Sequence, residues 1–162
     1  TCEYLTQKAN VMKSRPNSKS KFLVVNFFLA ALFGVFAWFQ RNDIDPSIYS
    51  KPSFDNPTVD SALWLIFYLI IAIGFIVVSF RKLPKWYFVV AIIACFFEMA
   101  MSGPGLWANI FSEESFNMAQ TSMSAKDPRV ELTREFFGAL LALLGVFFQL
   151  WQCRRIKKRS CA

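Results

Sequence analysis

The chain has 162 residues, 55% of them hydrophobic and 18% charged, with a formal net charge of +7. That length holds one domain, and the apolar share is heavy for a water-soluble one. Histidine is absent, which excludes imidazole catalysis and histidine metal ligation, and no P-loop, dinucleotide fingerprint, serine elbow or zinc motif occurs.

The chain starts at Thr1 without methionine, and residues 1–21 are polar and rich in lysine and serine. They read as a basic N-terminal tail or the remnant of a targeting segment. Uncharged apolar runs follow at 22–40, 61–80, 86–97 and 136–152. A bilayer core of about 30 Å takes roughly 20 apolar residues in a helix. The runs are apolar on every side, whereas a buried helix of a soluble protein keeps a polar stripe. The first run is too long for a signal-peptide core and ends in Trp38-Phe39-Gln40-Arg41 rather than small residues, so it reads as a retained helix.

Residues 41–60 hold Pro46, Pro52 and Pro57 and read as an irregular loop, with Asn56-Pro57 as cap and first turn of the second helix. Residues 81–85, with Pro84, form a short turn, which predicts spans two and three to be antiparallel neighbours. The third run reaches full length through Glu98 to Met101 and is expected to stop at the breaker Ser102-Gly103-Pro104-Gly105. Residues 106–123 mix apolar and polar side chains and would suit a short interfacial helix. Asp127-Pro128 then opens the fourth helix. The expected fold is an all-α membrane protein, a four-transmembrane-helix bundle with spans at about 22–40, 59–80, 84–102 and 129–152, followed by a basic tail at 154–162.

Charge sets the expected orientation. Residues 1–21, 81–85 and 154–162 carry 13 of the 18 basic residues and one acid, Glu3. The loops between them carry five basic residues and nine acids. This positive-inside pattern puts both termini on one cytoplasm-like side and makes the basic residues topology determinants that also attract anionic lipid headgroups, not a nucleic-acid surface. Trp38, Trp64 and Trp107 fall at outer span ends and Trp86 and Trp151 at inner ones, as two interfacial belts. Cys2, Cys153 and Cys161 lie on the inner side and Cys95 within the third span, so the outer loops offer no disulfide framework.

The four-span path gathers polar residues near the outer face. Gln40, Asn42, Asp43 and Asp45 follow the first span, Glu98 lies in the outer part of the third, and Glu131, Arg134 and Glu135 open the fourth on one helical face. An ionisable residue inside a span is costly and faces a partner or water, so Glu98 either pairs with Arg134 or snorkels to water as a packing device, or it binds a ligand or handles a proton. Arg134 sits poorly at a helix N-terminus, which also calls for a carboxylate partner. Asn26, deep in the first span, fits an interhelical hydrogen bond. Ala30 and Gly34 in the first span, and Gly138 and Ala142 in the fourth, repeat the small-xxx-small spacing and suggest that these spans touch. Met99, Met101, Met118 and Met123 cluster on the outer side, where thioethers could meet Cu(I) or simply fill gaps; the metal stays unknown.

The run Gln40-Arg41-Asn42-Asp43-Ile44-Asp45-Pro46 after the first span resembles the polar signature of the transmembrane protein 220 family. Glu131-Leu132-Thr133-Arg134-Glu135-Phe136-Phe137-Gly138 before the last span is similar too. The likeness covers roughly residues 29–144, with Ile44 in place of an expected proline and a longer-looking first loop. It implies a small multi-pass membrane protein with no nameable activity, whose outer polar residues act as one unit. The function expected is that of a non-catalytic accessory or structural subunit, with membrane lipids and other membrane-protein subunits as partners. Nineteen phenylalanines give it faces that would also suit bound lipid or another hydrophobic cofactor. The rival is a binding protein or enzyme that uses the outer carboxylates on a cation, lipid headgroup or quinone-like ligand. A bacterial inner membrane and an organellar membrane both fit.

Overall fold

The computed structural model describes residues 18–41, 56–111, 116 and 129–160, and these form four α-helices. Helix α1 runs Ser18–Gln40, α2 Pro57–Phe80, α3 Lys85–Phe111 and α4 Arg129–Ser160. Each contains a segment long and apolar enough to cross a bilayer: Phe22–Gln40, Thr58–Phe80, Lys85–Phe111 and Arg129–Arg155. Lipid offers backbone amides no partner, so uninterrupted apolar runs of this length settle into helices that satisfy their own hydrogen bonds. The protein is an integral, multi-pass, all-α bundle.

The start of α2 follows its sequence signal. Asn56 is extended and its side chain accepts from the Thr58 N–H at 3.0 Å, with Pro57 in the first turn. The end of α3 does not. Instead of stopping at the Gly-Pro-Gly segment, α3 continues to Phe111 with Pro104 inside it. Neighbours compensate for a proline inside a membrane helix, and here the glycine beside it has a packing role. A Cβ on Gly105 would run into the Leu132 side chain of α4. Six residues of the expected interfacial helix, 106–111, therefore belong to α3; among the rest, 112–115 and 117–123 lie outside the described residues. The Asp127-Pro128 cap also lies outside them. At the other end α4 runs on to Ser160, so most of the expected C-terminal tail is helical.

The helices pack as two close pairs, α1 with α2 and α3 with α4, and α2 lies against α4 to join them. Spans two and three, although linked by the short turn, are not among the closely packed pairs. The turn only has to return the chain, while small residues decide which backbones come close. Gly138 and Gly145 of α4 admit rings from other helices. A Cβ on Gly138 would meet the Tyr68 hydroxyl at 2.6 Å, and one on Gly145 would meet the Phe33 ring at 3.1 Å. Phe33 stacks on Phe75 at 5.7 Å between centroids and 14° between planes. These two rings, with Ile71, Val78, Cys95, Ala139, Ala142 and Val146, form the centre of the core. Ala30 is buried too. Gly34 is different: nothing lies within 4 Å of the place where its Cβ would be. Spans one and four do meet, but through side chains that bridge them rather than through apposed small residues.

Candidate functional site

Two polar layers interrupt the apolar interior, one towards each end of the bundle. At the basic end, all four helices contribute. Asn26 of α1 and Gln152 of α4 exchange two hydrogen bonds, Gln152 Nε2 donating to Asn26 Oδ1 at 2.7 Å and Asn26 Nδ2 donating to Gln152 Oε1 at 3.0 Å. Asn26 Nδ2 also donates to Ser79 Oγ of α2 at 2.9 Å, and that hydroxyl donates to the Phe75 carbonyl at 3.0 Å. One turn deeper, the Tyr87 hydroxyl of α3 donates to Gln149 Oε1 at 2.8 Å, and Gln149 Nε2 donates to the Ile71 carbonyl of α2 at 3.0 Å. Gly74 makes room for this: a Cβ there would sit 2.5 Å from the Tyr87 oxygen and 3.0 Å from the Gln149 amide. Amides buried in an apolar medium are costly unless bonded, and the geometry bonds them to each other. Asn26 shows the interhelical bond that its position suggests. Gln149, Gln152, Ser79 and Tyr87 were not singled out from the sequence. Their one signal is that Gln149 and Gln152 share a helical face inside an otherwise apolar run.

The second layer lies towards the acidic end. The Tyr87–Gln149–Ile71 bonds mark one common level, from which depth can be counted along each helix. At 1.5 Å per residue, Glu98 stands about 17 Å beyond it on α3, Asp60 about 17 Å on α2, Glu135 about 21 Å and Arg134 about 22 Å on α4. By this count the four stand at similar depth, within about one helical turn, and Glu131 one turn further out. Asp60, Glu98 and Glu131 are buried, and Arg134 and Glu135 half-buried. Glu98, Glu131, Arg134 and Glu135 each interact with a neighbour, as does Asp60. Asp60, counted in the sequence among the loop acids, is instead a fully buried residue of the first turn of α2.

Side-chain hydrogen bonds at this end run both between helices and within them. The Ser61 hydroxyl donates to the Gln40 carbonyl, tying α2 to the end of α1. Gln40 contributes its backbone there, and its side chain is half-buried. Asn109 Nδ2 donates to Thr133 Oγ1 at 3.0 Å, and Thr133 Oγ1 donates to the Arg129 carbonyl at 2.6 Å. The Ser102 hydroxyl donates to the Glu98 carbonyl at 2.7 Å. The extension of α3 beyond Pro104 thus docks on the first turns of α4, through Gly105 and then Asn109. Asn42, Asp43 and Asp45 lie outside the described residues. Among the described residues no group of three His, Cys, Asp or Glu is arranged to hold a metal ion. Met99 is half-buried and Met101 exposed; Met118 and Met123 lie outside the described residues.

The tryptophans correct one expectation. Trp38, Trp86, Trp107 and Trp151 present surface at the two ends of the bundle, but Trp64 is only 9% exposed. It packs in the core against Phe67 at 5.3 Å and Tyr68 at 6.3 Å, with its indole N–H buried and unmatched among the described residues. Trp64 lies one turn from Asp60 on the inward stripe of α2, so the stripe and not depth in the membrane fixes its place.

The segment from mid-α1 through the acidic stratum to the amides of α4 is also the segment that a family describes. The family model described as Transmembrane family 220, helix, matches residues 32–151. The chain belongs to transmembrane family 220. The match takes in both polar stretches that carried the resemblance, at residues 40–46 and 131–138, and also Gln149, Tyr87 and Gly74. It leaves out Asn26 and Gln152, so the outer amide pair of the basic-end layer stands outside the part of the chain that the family 220 model describes. No curated protein and no solved structure matches the chain.

Proposed function

We propose that this family 220 protein is a non-catalytic accessory or structural subunit, packed by its outward helix faces against other membrane proteins in a larger assembly. The observation that carries the reading is how the interior amides are used. Asn26 bonds to Gln152, and Gln149 bonds to Tyr87 and the Ile71 carbonyl, so these amides tie the four helices to one another. A bundle locked in this way presents stable outer faces, and these are aromatic: Phe27, Phe28, Phe39, Phe96 and Phe97 are exposed. Rings supply large contact area at little entropic cost, which favours association between helices in lipid. The basic end faces the cytoplasm or its equivalent on this reading.

A photo-crosslinking amino acid placed singly at Phe28, Ile93 or Leu144, in cells, tests it. One recurrent protein adduct from one face, lost when a neighbouring exposed phenylalanine becomes alanine, is the expected result. Adducts with lipid alone from all three faces would defeat the reading.

A second reading rests on a separate observation, the burial of Asp60, Glu98 and Glu131 at the acidic end. A ligand with a positive or hydrogen-bond-donating group, such as a cation, a lipid headgroup or a quinone-like ring with its hydroxyls, would suit such carboxylates. Under it, Glu98→Gln abolishes ligand binding without loosening any subunit contact.

A further inference from the structure

We propose that the basic end of the bundle holds an anionic phospholipid, its phosphate on Arg154 and Arg155 and its acyl chains along the seam between α1 and α4. This goes beyond a role in topology, which asks only that basic residues lie on one side. Here a specific surface is built.

Helices α1 and α4 are not closely packed, and near the basic end side chains span the gap between them. Phe22 of α1 meets Trp151 of α4 edge-on at 5.8 Å, and Trp151 stacks on Phe148 at 5.5 Å and 20°. The Asn26–Gln152 amide pair closes the seam beneath them. Trp151 keeps 38% of its surface exposed, so the rings form a platform rather than a plug. Over that platform the Arg155 guanidinium lies 4.0 Å from the ring centroid. A guanidinium held over an indole by its charge still has N–H groups to donate to phosphate oxygens, which its fork geometry matches. An indole at a membrane interface has headgroups beside it and acyl chains below.

Charge complementarity names the occupant. Arg81, Lys82, Lys85, Arg154 and Arg155 are all exposed at this end, and among the described residues no acid accompanies them. The chain carries its own control at the other end. Arg41 lies over Trp38 at 3.9 Å, the same pairing, but at the end where Asp60, Glu131 and Glu135 lie. The arginine–tryptophan pair is thus common to both ends, and the uncompensated positive field is particular to one.

The test uses the full chain in nanodiscs of phosphatidylcholine containing phosphatidylglycerol, with bromine on the acyl chains of one lipid or the other. The Trp151 fluorescence component is obtained by difference from Trp151→Phe, which keeps a ring in the platform, and the Trp38 component from Trp38→Phe. Brominated phosphatidylglycerol should quench Trp151 at least about fivefold more effectively than brominated phosphatidylcholine, the preference that even one of the two arginines would give at a membrane surface. Trp38 should show a ratio near one. Arg154→Gln with Arg155→Gln should bring the Trp151 ratio to one, whereas Arg81→Gln with Lys82→Gln should leave most of it. Several results would overturn the proposal. Equal quenching by both lipids is one, and an equal fall in the two double variants is another, since that would mean diffuse charge. Displacement by millimolar glycerol phosphate would indicate a free-anion site, and protection of Trp151 from both lipids would indicate a protein on the seam.

Discussion

Gly74 shows how a single missing methyl group organises the interior. Its bare surface faces the Tyr87 hydroxyl of α3 and the Gln149 amide of α4, which bond to each other there. Gly74→Ala should force both groups away and cost about 1–3 kcal/mol, the usual range for overfilling a packed interior. Thermal unfolding in mild detergent would read this as a lower midpoint. Adding Tyr87→Phe removes the oxygen in the way, so the double variant should lose less than the two single losses together. Gly34→Ala has open space and should leave the midpoint unchanged or raise it slightly. If the two glycines behave alike, the packing described around Gly74 is wrong. The sequence points the other way, since Gly34 stands in a small-xxx-small spacing and Gly74 does not; the difference lies in what another helix brings opposite.

At the scale of the element, α3 is the most informative. Its acidic-end half carries Glu98, a proline and the docking contacts with α4, and its register puts Glu98 and Arg134 at similar depth. Glu98 is 2% exposed, and a lone charge at such a place costs at least about 2.5 kcal/mol on insertion scales. Glu98→Gln and Arg134→Gln should each lower the thermal midpoint, and the double variant should lose less than their sum. Strictly additive losses would argue that the two groups do not meet. The existence of all four helices was legible because lipid demands long apolar runs, and the cap at Asn56 because Asn-Pro is a local signal. The far end of α3 was not, because Gly-Pro-Gly breaks a helix in water but, beside Leu132, lets one helix approach another. The acidic stratum was legible in part. Glu98, Glu131, Arg134 and Glu135 stand out as charges next to apolar runs, but Asp60 looked like a loop acid, since only tertiary packing buries a first-turn residue. At the basic end Asn26 was legible but Gln149 and Gln152 were not, because glutamine near a span end looks the same whether it faces headgroups or another helix.

For the whole molecule, the partition of charge predicts which surfaces lie across the membrane from each other. The hydrogen bonds among Asn26, Ser79, Tyr87, Gln149 and Gln152 bring the start of α1, the end of α2, the start of α3 and the basic part of α4 to one end of the bundle. In a cysteine-free background, an impermeant thiol reagent added from outside should label a cysteine at Ser53 or Ser122 and leave one at Ser18 or Ser160 untouched. The reverse pattern would invert the orientation; labelling of Ser18 and Ser53 together would break the bundle.

The pairing of α1 with α2 and of α3 with α4 bears on how such a chain is made. Each pair is a hairpin with its own close-packed seam, and the first is complete before the second leaves the ribosome. Insertion can therefore proceed two helices at a time, with union of the halves as a later, lateral event inside the bilayer. The bonds that complete that union are those of Gln149 and Gln152, donated and accepted across the divide. Until they form, each half carries buried-type amides facing lipid, a state that membrane quality control is equipped to detect. A variant that cannot form them would be fully inserted and correctly oriented, with only apolar contacts such as Phe33 on Gly145 to join its halves.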